Sequence, residues 1–415
     1  MMEKQKYKNP ITFIGKVDDD GNEIEATLHE FSEVVHDDGY VQFGDDDDLF
    51  ELLFELYDSS PTNQSILTSV STLIFGRGLA ATDSDQNPED FALVNSIFDA
   101  EELEKVSIDY GVAQNATMLI TRTGSTVKAT HTPVQNYRAS YETDSSGKPL
   151  YYYYHTNWSE VNSLDDEGIE TYDNYEVNPQ SNESILYIRK YTPGSFFYSK
   201  VDYFSGLHWA ECEAALGLFH ITNIDDGFSG KTVITLRNGI PDDEQRSQTR
   251  KEIQKEYQGV DGQKVIVLFA DDADTAPNID NLNIEDIAKQ FESTNTTSEN
   301  KILRAHRITS PILVGLRGEG GLGNNAQELE TAFALFNNMV ILPKQQTLLR
   351  GINKVLRAQG INLDLYFTTL KPFEFMDVDM DQVSDQETER QTGVQAEDQG
   401  FKKAFKKFLK FFFND

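Results

Sequence analysis

Ala305 to Ala326 reads AHRITSPILVGLRGEGGLGNNA, and the interpretation of this stretch decides how the rest of the chain divides. A helical pattern ends near Arg307 and another opens near Asn325. Between them lie Ser310 and Pro311 and then Gly315, Gly318, Gly320, Gly321 and Gly323, with Arg317 and Glu319 as the charges of the glycine-rich part. Proline blocks continuation of the first helix, and glycine loses the most backbone entropy on ordering. That density describes a segment selected to move or to fit close to another surface. A phosphate cradle would place glycines at fixed offsets before a helix N-terminus and add a Lys and a Ser or Thr. This loop ends Gly323-Asn324-Asn325 with neither, so a nucleotide site is set aside.

Working outward, 415 residues suffice for a substantial core and two or three domains. The formal net charge of −33 argues against a protein that grips phosphates, because such a protein needs a basic footprint. It is compatible with a surface that DNA passes without sticking. The single cysteine, Cys212, excludes an intramolecular disulfide framework and fits a reducing interior. In its apolar helical run it reads as a small core residue. The opening MMEKQKYKNP is too polar for a signal peptide, and no run approaches the ~18 apolar residues of a membrane span. The chain is therefore expected to be soluble and intracellular, with no membrane partner.

Residues 11–43 alternate apolar and polar positions around Asp20-Gly21, a hairpin signal. The run Asp45 to Asp48 precedes Leu49, Phe50, Leu53 and Leu56 at helical spacing. It lacks the glycine and terminal glutamate of a calcium loop, so capping and solvation of a helix start are expected. Ser59-Ser60-Pro61 and Asn87-Pro88 open two further helices, and a third runs from about Glu101 to Gly111. MLITRT, TVKATH, Tyr151 to Tyr154 and ILYIRKY then read as strands. The first 200 residues are thus an α+β unit. LHWAECEAALGLFHITNI forms a helix with apolar residues distributed around it, which calls for more than one packing partner.

Residues 231–270 read as strand, charged helix (about Asp242 to Tyr257) and strand, a small β-α-β module placed inside a helical hairpin. Lys231, Arg237, Arg246, Arg250, Lys251 and Lys255 make it less acidic than its surroundings, as a solvated helix face or as a surface for an acidic partner. The returning helix follows, weakened at Asn295-Thr296-Thr297. After the loop comes a helix of unusual length, which Pro343 is expected to kink or break and Gly360 to stop. A last strand, LDLYFTTL, follows it. Beyond Phe375 the composition is that of a linker, and Asp377, Asp379 and Asp381 lack the remaining calcium-loop ligands. GFKKAFKKFLKFFFND closes the chain as an amphipathic basic segment.

Several motifs in order carry a resemblance: KYTPGSFFYSKVDYFSGLHWAECEAALGLFHITNI, then LRNGIPDDEQ and YQGVDGQKVIVLF, then KILRAHRITSPILVGL with its glycine-rich continuation, and NNAQELETAFALFNNMVILPKQQ. Through these, residues 190–372 resemble the portal proteins of tailed bacteriophages, and SSPTNQSILTSVSTLIFGRGL extends the likeness loosely toward the N-terminus.

The resemblance implies an α+β portal-like fold and a homo-oligomeric ring, commonly of twelve subunits, at one capsid vertex of the virion, assembled in the host cytoplasm. Viral double-stranded DNA would pass through the ring during packaging and ejection. Residues 1–205 would be the wing, with 206–230 and 279–309 the two stem helices. Residues 231–278 would be a clip inserted between the stem helices, presenting Lys231, Arg237, Arg246, Arg250, Lys251 and Lys255 to partners.

By the same likeness 310–325, from Ser310 and Pro311 to Gly323 and Asn324, would be the tunnel loop. Residues 326–372 would hold the long wing helix kinked at Pro343 and a final strand, and 373–415 a polar linker or short crown. The partners implied are the major capsid protein, a terminase that supplies ATP hydrolysis, and head-completion or adaptor proteins.

No nucleotide motif, metal-ligand spacing or triad is found, so no catalytic residue, metal or cofactor is expected. His208, His220 and His306 read as structural. The competing readings are a nucleic-acid- or nucleotide-processing enzyme with the glycine-rich loop as a lid, and a capsid scaffold or adaptor without a channel.

Overall fold

The computed structural model describes residues 31–44, 47–225, 232–236, 265–269, 284–316 and 326–370. The hairpin expected at Asp20-Gly21, the helix expected at 242–257 and everything after residue 370 lie outside these.

Two short strands, β1 (Glu33–Val35) and β2 (Tyr40–Phe43), come first. The helices α1 (Leu49–Ser59) and α2 (Pro61–Phe75) follow. Ser60 separates them in an extended conformation and accepts a hydrogen bond from the Asn63 amide. Pro61 occupies the first turn of α2, where its missing N–H is an orphan anyway.

After β3 (Leu79–Ala81) come α3 (Pro88–Ile97) and α4 (Ala100–Ala113), the latter capped by Asp99, which accepts from Glu101 N at 2.9 Å. The chain then becomes strand-rich: β4 (Asn115–Thr123), β5 (Thr126–Thr132), β6 (Tyr137–Ser140), β7 (Tyr151–Tyr154), β8 (Glu170–Asn174) and β9 (Glu183–Arg189).

These build one eight-stranded sheet in the order β1-β2-β6-β7-β8-β9-β4-β5. Every join is antiparallel except β8 with β9. Alternation along β4 buries Ala116, Met118 and Ile120, and their neighbours Ala129 on β5 and Leu186 and Ile188 on β9 are buried with them. The helices α2 and α4 pack together over this core.

Between β9 and the next helix, the carboxylate of Glu33 accepts from the amides of Phe196, Phe197 and Tyr198 at 2.7–2.9 Å. One edge-strand side chain thus organises the SFFYS segment.

The helix α5 (Leu207–Asp225) packs against α6 (Ile284–Ala305), with the Phe219 and Phe291 rings 4.5 Å apart. α6 runs unbroken through Asn295-Thr296-Thr297, where Asn300 Nδ2 donates to Thr296 O at 2.8 Å. Of the module between these helices, β10 (Thr232–Leu236) and β11 (Val265–Phe269) pair in parallel.

The long C-terminal element is three pieces: α7 (Ala326–Phe336), a π-helical turn over Asn337–Ile341, and α8 (Leu342–Ala358). Pro343 lies in the first turn of α8. It has no N–H to return to the carbonyl of Met339, and the backbone widens into the π turn at that place. Gly351 of α8 packs so closely on β9 that an added Cβ would lie 2.8 Å from Ile188 Cγ1. Gly360, at φ +79°, ends α8, and Ile361 N donates back to Leu356 O at 2.9 Å. β12 (Leu365–Phe367) pairs antiparallel with β3.

Two expectations are corrected here. Cys212 is exposed on α5 rather than a core residue, because α5 packs on α6 along one side and leaves much of its surface bare. Within the acidic run, Asp47 neither caps nor solvates a helix: it is buried against Arg138, with Nε to Oδ1 at 2.6 Å.

Candidate functional site

The glycine-rich loop leaves the end of α6. His306 N and Ile308 N donate to the carbonyls of Ile302 and Leu303, both at 3.0 Å, and Arg307 sits in the left-handed region at φ +58°. That conformation costs a residue with a Cβ about 1 kcal/mol, and the Arg307 side chain is not idle: its guanidinium donates to the carboxylate of Asp202. Gly206, just before α5, lets α5 and α6 approach, since an added Cβ would lie 2.6 Å from that of Ala305.

Beyond Arg307 the loop base is pinned twice. Thr309 Oγ1 donates to Ala332 O on α7 at 2.8 Å, and Ser65 Oγ on α2 donates to Val314 O at 2.6 Å. Ser310 precedes a single 3-10 turn, Pro311–Val314, whose Val314 is buried. Gly315, at φ +76°, closes it. The N-terminal rim of the glycine stretch is therefore tied to the rigid part of the molecule at two points, Val314 to α2 and Thr309 to α7. Arg317, Gly318, Glu319, Gly320, Gly321, Gly323 and Asn324 lie outside the described residues. So do Lys231, Arg237, Arg246, Arg250, Lys251 and Lys255.

Behind the loop base stands a polar cluster that the sequence reading missed. Asp202 accepts from Gln114 Nε2 as well as from Arg307, and Lys344 Nζ, on α8 immediately after Pro343, lies 3.5 Å from its Oδ1. Burial by itself would raise the Asp202 carboxyl, but Lys344 and Arg307 outweigh that and hold it below its ordinary value. Burial pushes the Lys344 ammonium down.

His306 stacks on Tyr203 with centroids 4.3 Å apart, and its Nε2 lies 2.9 Å from Asn63 Oδ1. Asn63 already uses its Nδ2 to donate to Leu56 O, so the imidazole is the donor. Full burial drives the His306 pKa down to about 3, which keeps the ring neutral. One carboxylate thus joins the end of α4, the end of α6 and the start of α8.

Some signal for this cluster existed. Lys344 and Gln345 interrupt the apolar stripe of Ile341, Leu348, Ile352 and Val355, and a lysine at such a position must find an anion. Nothing local marked Asp202 as that anion.

A second connection ties α5 to the sheet-bearing part: Glu213 accepts from Thr62 N at 3.1 Å and Thr62 Oγ1 at 2.5 Å, at the positive end of α2. Among the described residues no group of His, Cys, Asp and Glu is placed to hold a metal ion, and no helix is long and apolar enough to cross a membrane.

A mixed α+β chain with one large sheet, a helical hairpin and a long broken helix is a fold also found in gene transfer agent particles. Two solved structures share it. One is the virion of a native gene transfer agent particle, at 16% identity with a TM-score of 0.51. The other is the neck of an empty particle of that kind computed with C6 symmetry, at 15% identity with the same TM-score. Each match covers 84% of this chain and 93% of the other. No protein-family model matches the sequence, and no curated protein does.

Proposed function

We propose that this chain is the portal subunit of a phage-like particle, a ring around an axial channel through which double-stranded DNA is packaged and ejected. The observation that carries the reading is the unequal surface of the α5–α6 hairpin. α5 leaves Leu218 65% and Ile221 58% exposed, although isolated chains seldom leave such side chains together on one helix. α6 presents Glu292, Ser293, Thr296, Thr297 and Asn300, with Lys301 and Arg304 at its end.

In a ring the apolar surface of α5 is covered by the next subunit. The short polar side chains of α6 face the bore, where weak contact suits a polyanion of any sequence. The fold shared with a neck assembly computed with C6 symmetry supports the same reading.

In this assignment residues 1–205 are the wing, α5 and α6 the stem, 231–278 the clip that meets terminase and head-completion proteins, and 310–325 the tunnel loop. The chain has no catalysis of its own. Electron microscopy of the purified protein is the test: rings with a central pore are expected, and Leu218→Asp with Ile221→Asp should abolish them while circular dichroism stays unchanged. A compact monomer at every concentration would overturn the reading.

A further inference from the structure

The SFFYS segment that Glu33 organises begins at a tight turn. Thr192 O accepts from Ser195 N at 3.2 Å across Pro193-Gly194, and Gly194 stands at φ +83°, so the two centre positions hold the proline and the left-handed glycine that such a turn favours. The limbs are fastened to each other. Ser199 Oγ accepts from Lys190 N at 2.7 Å and donates to Lys190 O at 2.6 Å, and Thr192 Oγ1 accepts from Lys200 N at 3.2 Å. Ser195 Oγ donates to Glu33 Oε1 at 2.9 Å.

Tyr191 and Phe196 flank this turn, each 75% exposed, more than any other large apolar side chain among the described residues. Exposed Tyr141, whose ring lies 6.3 Å from that of Phe197, extends the patch, as does exposed Val35, on the same side of β1 as Glu33. Ordering the turn costs entropy and leaves two rings in water, so the arrangement is favourable only when something covers them.

The charge around the rings restricts the cover. From Arg189 to Lys200 there are three cations and no Asp or Glu, in a chain of net charge −33. Lys190 is exposed, and its ammonium has no partner among the described residues. An acidic, partly apolar segment fits.

Such a segment enters at this place. Residues 1–30 join the described part at Phe31, whose ring lies 5.7 Å from Lys200 Nζ, two residues before Glu33. Within them, 18–30 reads DDDGNEIEATLHE, with six carboxylates and no Lys or Arg. Ile24 and Leu28 fall on one side of it at either the strand or the helix period. Leu28 is five residues from Glu33, a reach of at most about 18 Å. A tether that short holds a segment at an effective concentration on the order of millimolar, which a second copy in dilute solution does not match.

We propose that residues 18–30 dock on this patch of their own chain, with Ile24 and Leu28 over the Tyr191 and Phe196 rings and carboxylates toward Lys190. The docked segment removes a surface on which copies of the chain would otherwise associate at random. The inference does not depend on the ring.

The test is hydroxyl-radical labelling of the full chain, read residue by residue by mass spectrometry. It is run in the Leu218→Asp, Ile221→Asp background, so that ring assembly shields nothing. Tyr191 should label more slowly than Tyr366, although Tyr366 is 42% exposed. Ile24→Asp with Leu28→Asp should raise labelling of Tyr191 and Phe196 about fivefold, as for a segment docked about four-fifths of the time. Lys190→Glu, a surface change that leaves the segment intact, should raise it about twofold by the same reasoning. Tyr366 labelling and circular dichroism should stay unchanged in both. Tyr191 labelling faster than Tyr366, or no rise in either variant, overturns the proposal. Protection that weakens on dilution overturns it as well, since a second copy would then be the cover.

Discussion

The Lys344 ammonium lies 3.5 Å from the Asp202 carboxylate, although Lys344 is only 6% exposed. A lysine is almost never buried so far unless paired, and the pair holds the start of α8 against the loop base. Replacing Asp202 by Ala strands the buried Lys344 ammonium, Arg307 being exposed to water, and should cost about 3 kcal/mol in urea unfolding. Replacing Lys344 by Met in that background should restore most of it, since an apolar residue of similar volume has no charge to desolvate. Equal losses that simply add would show the two groups to be independent.

His306 makes the stability depend on pH in a definite direction. Its folded pKa of about 3 lies below the ordinary histidine value of 6.5, so between those values the unfolded chain binds the extra proton. Stability is therefore complete above 6.5 and falls as the pH drops through the window, by about 1.4 kcal/mol per unit. His306→Gln, which retains a donor for Asn63, should flatten the profile between pH 6.5 and 5 by about 2 kcal/mol. Denaturant titrations at three pH values check it. Asp202, held below its ordinary value of 3.8, loses its own contribution only as the pH falls from there, below the interval from 6.5 to 5.

The two pins of the loop base are separable. Ser65→Ala leaves the carbonyl of Val314 without its side-chain donor, and Thr309→Val removes the second donor to the Ala332 carbonyl, which keeps its partner within α7. Each should cost about 1 kcal/mol. Limited proteolysis should cut the glycine stretch faster in both variants, and unchanged cleavage would show that the pins do not restrain it.

For the tunnel-loop reading, Ala at Gly318, Gly320, Gly321 and Gly323 together should leave rings intact in electron micrographs while reducing DNA packaged per ring. Failed assembly with normal packaging in the surviving rings would make the loop architectural.

Much of the framework was legible in the sequence because it rests on contacts within one turn. Ser60-Pro61 and Asn87-Pro88 open helices, and Gly360 stops one. The strand runs at 118–123, 126–131, 151–154 and 185–191 fall on β4, β5, β7 and β9. A cap or a turn is chosen by a residue and its neighbours four places away, so those residues alone suffice to read it.

The tertiary structure alone decided what required distant side chains to meet. Strand order across the sheet, with its single parallel join of β8 to β9, comes from which faces the helices cover. Asp47 passed from a supposed solvated run to a buried ion pair because Arg138, 91 residues along the chain on β6, is itself buried and needs a counter-charge. Cys212 passed from core to surface because an apolar helix in one chain can be half unpartnered. Asp202 became the joint of three helices because charge excluded from water is satisfied by whatever ion the fold brings within reach, and sequence distance does not enter Coulomb's law.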